Sequence, residues 1–260
     1  MAIPFVIVSP ASRGLSLALA RHYLRQTSLL VYSTHRSPHE DAIRDRIMSG
    51  LPPTVDSNRL TLIPLELTSE KSIASASDFL AMRLPSNACL DTAWITGGVL
   101  HPEKSPQDIE ASSLLESFKI NVFSHLLMIK HFSRFLPEYS DGIQPSAGLS
   151  KWVHVSARVG SISDNRRGGW YSYRSSKAAL NQVIKTFDLQ LQMQKKRKSS
   201  IAVGVHPGTV KTDLSKEFWN TSPQLFDPED VVDRLVTVVN NLSEEDRGKV
   251  WDWAGKQVPW

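Results

Sequence analysis

Tyr173 and Lys177 stand four residues apart in Tyr171-Ser172-Tyr173-Arg174-Ser175-Ser176-Lys177, which opens a stretch of helical apolar period. On a helix that spacing puts both side chains on one face, so an ammonium can lie beside a phenol. A phenol titrates near about 10 in isolation and is a poor acid–base group at neutral pH. Neighbouring positive charge favours its anion and is expected to lower that value toward working pH. The chemistry this suggests is delivery of a proton to a carbonyl oxygen while hydride arrives from elsewhere. Tyr171 is the rival phenol, but it lies six residues before the lysine and turns off that face.

A second segment, Ser9-Pro10-Ala11-Ser12-Arg13-Gly14-Leu15-Ser16, follows an apolar run and leads directly into helical period. A turn of small residues between a strand and a helix offers backbone N–H groups and a positive helix end to a phosphate, so a dinucleotide pyrophosphate is the natural guest. Ser9, Ser12, Arg13, Gly14 and Leu15 are the candidate contacts. The next apolar run ends in Tyr32-Ser33-Thr34-His35-Arg36, and no acidic residue appears before Glu40. An acid there would accept from the ribose hydroxyls of NAD and repel a further phosphate, whereas a cation attracts it. His35 and Arg36 therefore favour NADP(H).

The elements that must position these residues alternate short β-rich runs with longer helical stretches, the pattern of an α/β fold with a parallel sheet. Candidate strands are residues 5–8, 28–32, 60–64, 92–95, 152–155, 201–205 and 249–252. They are apolar nearly throughout, as expected of strands covered on both faces. Three helical stripes, Leu15/Leu19/Tyr23, Phe118/Val122/Leu126/Ile129/Phe132 and Leu180/Val183/Ile184/Phe187/Leu191, are read as core. Three irregular stretches remain, 51–57, 101–108 and 212–228; the last holds Trp219 and Phe226, follows a strand, and is the candidate substrate lid.

At 260 residues the chain is expected to form a single domain, residues 1–260, with a cofactor half to about 150 and a catalytic and substrate-binding part from about 151. A 41% apolar and 22% charged composition is that of an ordinary globular protein. The N-terminal apolar run is too short for a signal peptide or a membrane span. The single cysteine, Cys89, excludes an intramolecular disulfide and a cysteine-rich zinc cage; no metal is expected, and the location is expected to be cytoplasmic. Net charge is +4 and the isoelectric point about 9.2. The dense basic cluster, Lys195-Lys196-Arg197-Lys198, falls where a long helix runs out and opposes the negative end of its dipole, so no nucleic-acid partner is expected.

With these segments in order, the chain resembles the short-chain dehydrogenases/reductases. Its first turn is similar to their T-G-x-x-x-G-x-G, with Ser9, Pro10 and Ser16 as departures. Tyr173-Arg174-Ser175-Ser176-Lys177 resembles their catalytic helix, and His206-Pro207-Gly208-Thr209-Val210-Lys211-Thr212 closely resembles their P-G-x-V-x-T. Glu66-Leu67-Thr68 is similar to the acidic-apolar pair beside the adenine. Thr96-Gly97-Gly98-Val99 stands at the place of N-N-A-G without its asparagines. The segments at 160–165 and 168–170 and the ending at 251–260 are similar to the branch containing C-factor and the sniffer-type carbonyl reductases.

The resemblance implies a single-domain Rossmann fold: a seven-stranded doubly wound parallel sheet, order 3-2-1-4-5-6-7, with helices on both faces. It implies NADP(H) held by the first turn, His35, Arg36, Glu66, Leu67, Gly97, Gly98, Tyr173, Lys177, Pro207, Gly208, Val210 and Thr212. Asn121 would hold a water in a proton relay to Lys177, and a homodimer or homotetramer would form through the long helices after strands 4 and 5. The function so implied is reduction of a ketone or aldehyde.

The usual carbonyl-orienting serine is replaced by Ala157 in Val155-Ser156-Ala157-Arg158-Val159-Gly160-Ser161. A methyl cannot donate to a developing alkoxide, and loss of one such donor costs about 3 kcal/mol of transition-state stabilisation. Either Ser156 or Ser161 substitutes, Ser161 being preferred because its loop runs over the site, or turnover is slow or absent. The alternative is then a nucleotide-binding regulatory or signalling protein on the same fold.

Overall fold

In the computed structural model, which describes residues 2–138, 148–197 and 199–260, strands and helices alternate along the chain. The first half runs β1 (Ile3–Ser9), α1 (Gly14–Gln26), β2 (Leu30–His35), α2 (Glu40–Met48), β3 (Leu60–Pro64), α3 (Glu70–Arg83) and β4 (Ala88–Ile95). Next come α4 (Ala111–Phe118), a π turn (Lys119–Phe123), α5 (Ser124–Phe132), β5 (Ser150–Val155) and the 23-residue α6 (Tyr171–Met193). The rest is β6 (Ser200–His206), β7 (Thr209–Val210), β8 (Leu225–Phe226), α7 (Pro228–Asn240), β9 (Val250–Asp252) and β10 (Gln257–Val258).

The main sheet is ordered β3-β2-β1-β4-β5-β6-β9-β10. All seven expected strands are found, in the expected order. The count is corrected to eight: β10 turns back antiparallel onto β9, with Gln257 opposite Trp251. Two residues behind a tight turn at Gly255 (φ +74) are too few to show a period in sequence. β7 and β8 form a separate parallel pair that closes the 212–228 stretch onto the segment after β6.

Alternation along each central strand sorts the core into two layers. Val6, Val8, Trp94, Val153 and Val203 pack with Leu19 and Tyr23 of α1 and Leu235 of α7. Phe5, Ile7, Ala93, Trp152 and Ala202 pack with Ile73 of α3, Met128 and Phe132 of α5, and Phe187 of α6. Trp94 donates its indole N–H to the Tyr23 hydroxyl at 2.9 Å, which lets a polar aromatic lie fully buried. One expected core position is corrected: Leu126 is exposed, and so is Phe123. The π turn at residues 119–123 widens the helix by a residue and shifts its register, so Ser124, His125 and Met128 face inward instead.

At the end of α6, Arg197 binds Glu138 at 2.6 Å and donates to the Ser133 carbonyl, so this cation pairs locally. Lys198 lies outside the described residues. Among the described residues no helix is long and apolar enough to cross a membrane.

Because β1 and β4 are neighbours while β2 lies on the far side of β1, the chain direction switches between them, and their carboxyl ends open a crevice. The 9–16 turn, the 96–99 segment and the start of α6 all face this place.

Candidate active site

The buried stripe of α6 reads Tyr173, Ser176, Lys177, Leu180, Asn181, Ile184, Phe187 and Leu191. Its C-terminal part is core, and its first turns reach past the sheet, so Tyr173 and Lys177 sit where core becomes crevice. Lys177 donates to the Val155 carbonyl at 2.9 Å, and its ammonium lies 5.8 Å from the centroid of the Tyr173 ring. Tyr171 is exposed. Gly160 lets the loop after β5 lie on this helix: a Cβ there would stand 2.8 Å from the Lys177 backbone carbon.

The electrostatics differ from the expectation in one respect. Burial raises the Tyr173 phenol above its ordinary value rather than lowering it. The same burial pulls the Lys177 ammonium down to about 7. Loss of water around the phenolate outweighs the pull of an ammonium 5.8 Å from the ring centre. The phenol therefore keeps its proton at neutral pH, the state a proton donor needs.

Asn121, on the π turn, accepts from Val99 N–H at 2.8 Å and donates to the Val99 carbonyl and to the Ser176 hydroxyl. Its amide is thus committed to fixing the 96–99 segment, and a water relay through that amide is not what this geometry presents. A Cβ on Gly98 would stand 3.6 Å from Asn121 Oδ1 and 3.7 Å from Lys177 Nζ. The glycine keeps open the space on which the two polar heads converge. On Gly97 a Cβ would meet Leu67 at 2.6 Å, so Leu67 and Gly97 are matched to each other.

Of the two candidate serines, Ser156 is corrected: it donates to Asn181 Oδ1 at 2.6 Å, inside the core. Strand alternation turns it to α6, away from the crevice. Ser161 accepts from Asp164 N–H at 3.1 Å, a bond that leaves its own proton uncommitted.

Ser9 is likewise corrected from a cofactor contact to a turn holder, since its buried hydroxyl bonds Thr34 at 2.8 Å. Thr96 donates to the Ser9 and Pro10 carbonyls, and Ser16 meets Thr96 at 2.7 Å, which draws that side chain off the helix end. Ser12, Arg13, Gly14 and Leu15 remain at the mouth, and no side chain caps the start of α1. His35 is corrected too, being buried with Nδ1 on the Ser37 carbonyl. Arg36 beside it is 72% exposed at the side chain and 3.8 Å from Glu66, and Arg13 stands 3.8 Å from Asp213. Both cations are free to turn toward an anion. Pro207, Gly208, Val210 and Thr212 close the opposite wall, Gly208 at φ +75 under the Phe226 and Trp253 rings.

Sequence reasoning passed over Glu103, His125 and His154 here, and gave Trp170 only as part of a segment similar to the sniffer branch. Glu103, in the irregular 101–108 stretch, is buried; it accepts from Ser172 N–H at 3.3 Å and from the Ser172 hydroxyl, placing a carboxylate at the positive end of α6. Trp170, just before that helix, has φ 52 and touches Tyr173 at 6.2 Å and Phe218 at 4.9 Å between ring centroids. His125 and His154 are wholly buried beneath Gly97. Each of these two is a lone imidazole in an apolar run, which was the available signal.

The chain belongs to the short chain dehydrogenase family, whose pattern it matches over residues 4–223. It is 31% identical over 154 residues to the C-signal protein of Myxococcus xanthus, covering 59% of this chain and 82% of that one. Its fold matches carbonyl reductase Sniffer of D. melanogaster with a TM-score of 0.83 over the whole of both chains, at 21% identity. It matches the NADPH-bound carbonyl reductase from chicken fatty liver with the same TM-score at 26% identity, over 100% of this chain and 94% of that one. The protein is an oxidoreductase of this family, with a mostly parallel sheet flanked by helices.

Proposed function

We propose that the protein is an NADPH-dependent reductase of ketones or aldehydes, with Tyr173 as the proton donor. The carrying observation is the buried Tyr173–Lys177 pair at the crevice, with Lys177 Nζ beside the bare Gly98. The residues present fit a dinucleotide. Gly98 leaves the space beside Lys177 that a side chain would fill, and the start of α1 is uncapped. Ser12, Arg13, Gly14 and Leu15 would hold the pyrophosphate, Arg36 a ribose phosphate, Glu66 and Leu67 the adenine side, and Pro207, Gly208, Val210 and Thr212 the nicotinamide end. When bound, NADPH supplies a hydride. Tyr173 holds the proton at its hydroxyl oxygen and gives it to the substrate oxygen. Lys177, anchored on Val155, keeps the phenol and ribose in register. Ser161 is the remaining hydroxyl on the loop after β5 for orienting that oxygen.

The test is NADPH consumption against a panel of aldehydes and ketones. A Tyr173→Phe variant should bind NADPH as the parent does and lose turnover by at least a hundredfold. Full activity in that variant would overturn the assignment.

A second reading rests on Ala157 together with the inward turn of Ser156. It makes the chain a nucleotide-binding regulatory protein with little turnover, and NADPH binding without consumption across the panel would favour it. We further infer a homodimer or homotetramer through α4, the π turn, α5 and α6, because Leu115, Phe123, Leu126 and Leu189 are apolar and exposed along them. Light scattering should find a dimer or larger, and Phe123→Glu with Leu126→Glu should dissociate it; a monomeric parent would refute this.

A further inference from the structure

Trp152, His154 and His125 form an unbranched row of hydrogen bonds buried at the crevice end of the α5 layer. Trp152 Nε1 lies 3.0 Å from His154 Nε2, His154 Nδ1 lies 2.8 Å from His125 Nδ1, and His125 Nε2 lies 2.9 Å from the Gly97 carbonyl. The direction of the row is fixed from its ends. An indole can only donate and a carbonyl can only accept. His154 Nε2 is therefore bare and its Nδ1 carries the proton; His125 Nδ1 accepts, and His125 Nε2–H donates to Gly97. One proton sits in each gap. A second proton on either ring would set two N–H groups head to head in a site with no exposure to water. Burial, with the Lys177 charge acting on both rings, accordingly holds His125 down to about 3 and His154 well below its ordinary value.

The row ends on a particular peptide. His154 is level with Ile95 on the neighbouring strand β4, two residues before Gly97. Apart from Ser9–Pro10, no cis peptide occurs among the described residues, so the 97–98 unit is trans. In a planar trans peptide the carbonyl and the next N–H point in opposite directions. Drawing the Gly97 oxygen into the core thus aims the Gly98 N–H outward, on the residue that faces Lys177 Nζ and Asn121 Oδ1. Asn121 holds the other end of the segment by both backbone groups of Val99.

We propose that His125, held in one tautomer by His154 and Trp152, is a positioning residue that fixes the Gly97–Gly98 peptide for the cofactor. This rests on reading the 96–99 segment as part of the cofactor site. Neither ring touches the crevice, so the effect is exerted through the carbonyl that His125 grips.

Three measurements on the full chain test it. In 15N-histidine NMR of the cofactor-free protein, His154 should be the Nδ1–H tautomer and His125 the Nε2–H tautomer at pH 7. The opposite tautomers, or a charged ring, would overturn the row. Amide exchange of residues 96–99 should speed at least tenfold in His125→Leu and return most of the way in His125→Gln, whose amide can still donate to Gly97. NADPH affinity, read by fluorescence without turnover, should fall at least tenfold in His125→Leu and recover in His125→Gln. Should His125→Leu not fold, Trp152→Phe frees the far end of the row, and a mixed His154 tautomer with faster exchange at 96–99 is expected. Unchanged exchange in the folded variants sinks the proposal. Absence of NADPH binding by the parent would sink the reductase reading instead, and the exchange data would still decide the role of His125.

Discussion

Gly14 and Thr212 come from opposite ends of the chain and meet across the crevice: a Cβ on the glycine would stand 3.0 Å from the threonine methyl. Gly14 has φ +56, a conformation that a side chain makes costly by about 1–2 kcal/mol. Gly14→Ala should therefore lower thermal stability by a few degrees and weaken NADPH binding at least tenfold. Calorimetry and a fluorescence titration read the two effects separately, and unchanged affinity would count against this contact as part of the phosphate end.

Arg36 is expected to choose between the two nicotinamide dinucleotides. It is exposed and leans on Glu66 at 3.8 Å, an interaction of little strength at a surface. Arg36→Ala should raise the Kd for NADPH at least tenfold and leave that for NADH within about twofold. Equal losses for both would mean that the cation serves the fold and not the extra phosphate.

Lys177 links stability to alkaline pH. Its folded value near 7 lies below its ordinary 10.5. Between these limits the unfolded chain holds a proton that the folded chain has released. Unfolding then takes up a proton, and stability rises with pH across the window. Lys177→Met should flatten that rise in urea unfolding measured at pH 7 to 10, while abolishing turnover.

Acid should act on the histidines in the opposite direction of travel. Burial holds His125 to about 3 and His206 to about 4, against an ordinary 6.5, and holds His154 well below that ordinary value too. The stability they contribute is complete above about 6.5 and is lost as pH falls toward 4, at about 1.4 kcal/mol per pH unit for each ring. Urea midpoints at pH 7, 6 and 5 should fall steeply in the parent and less so in His154→Leu; identical slopes would mean the rings are not neutral in the core.

Glu103 should matter to Tyr173 through the start of α6. Glu103→Ala leaves Ser172 N–H buried without its acceptor, at a cost of about 1–3 kcal/mol. A fall in unfolding free energy of that size is expected, with a lower kcat and little change in NADPH affinity. Glu103→Gln should recover much of the loss.

The seven strands and the Tyr173–Lys177 pair were legible because each rests on a repeating signal, apolar runs in one case and helical spacing in the other; the order of the strands came from the family resemblance. β10 was not, since a two-residue strand has no period. Leu126 misled for a related reason: an uninterrupted helical period is assumed when a stripe is counted, and the π turn at 119–123 breaks it. Ser9, Ser156 and His35 have the residue types that chemistry needs, but which way a side chain at a strand end points is decided by its neighbours. Thr34, Asn181 and Ser37 claim those three. The raised Tyr173 phenol was invisible for the same cause, as sequence spacing reports a nearby charge and not the loss of water around both groups.

Trp170 gives the 213–218 helical turn a mechanical bearing on the phenol. One indole rests against Phe218 on that turn and against Tyr173 on the other side, and its own backbone is pinned to Glu103. An indole held on three counts has little freedom of its own, so the wall beside the phenol is only as firm as the 213–218 turn and the Glu103 carbonyl that brace it.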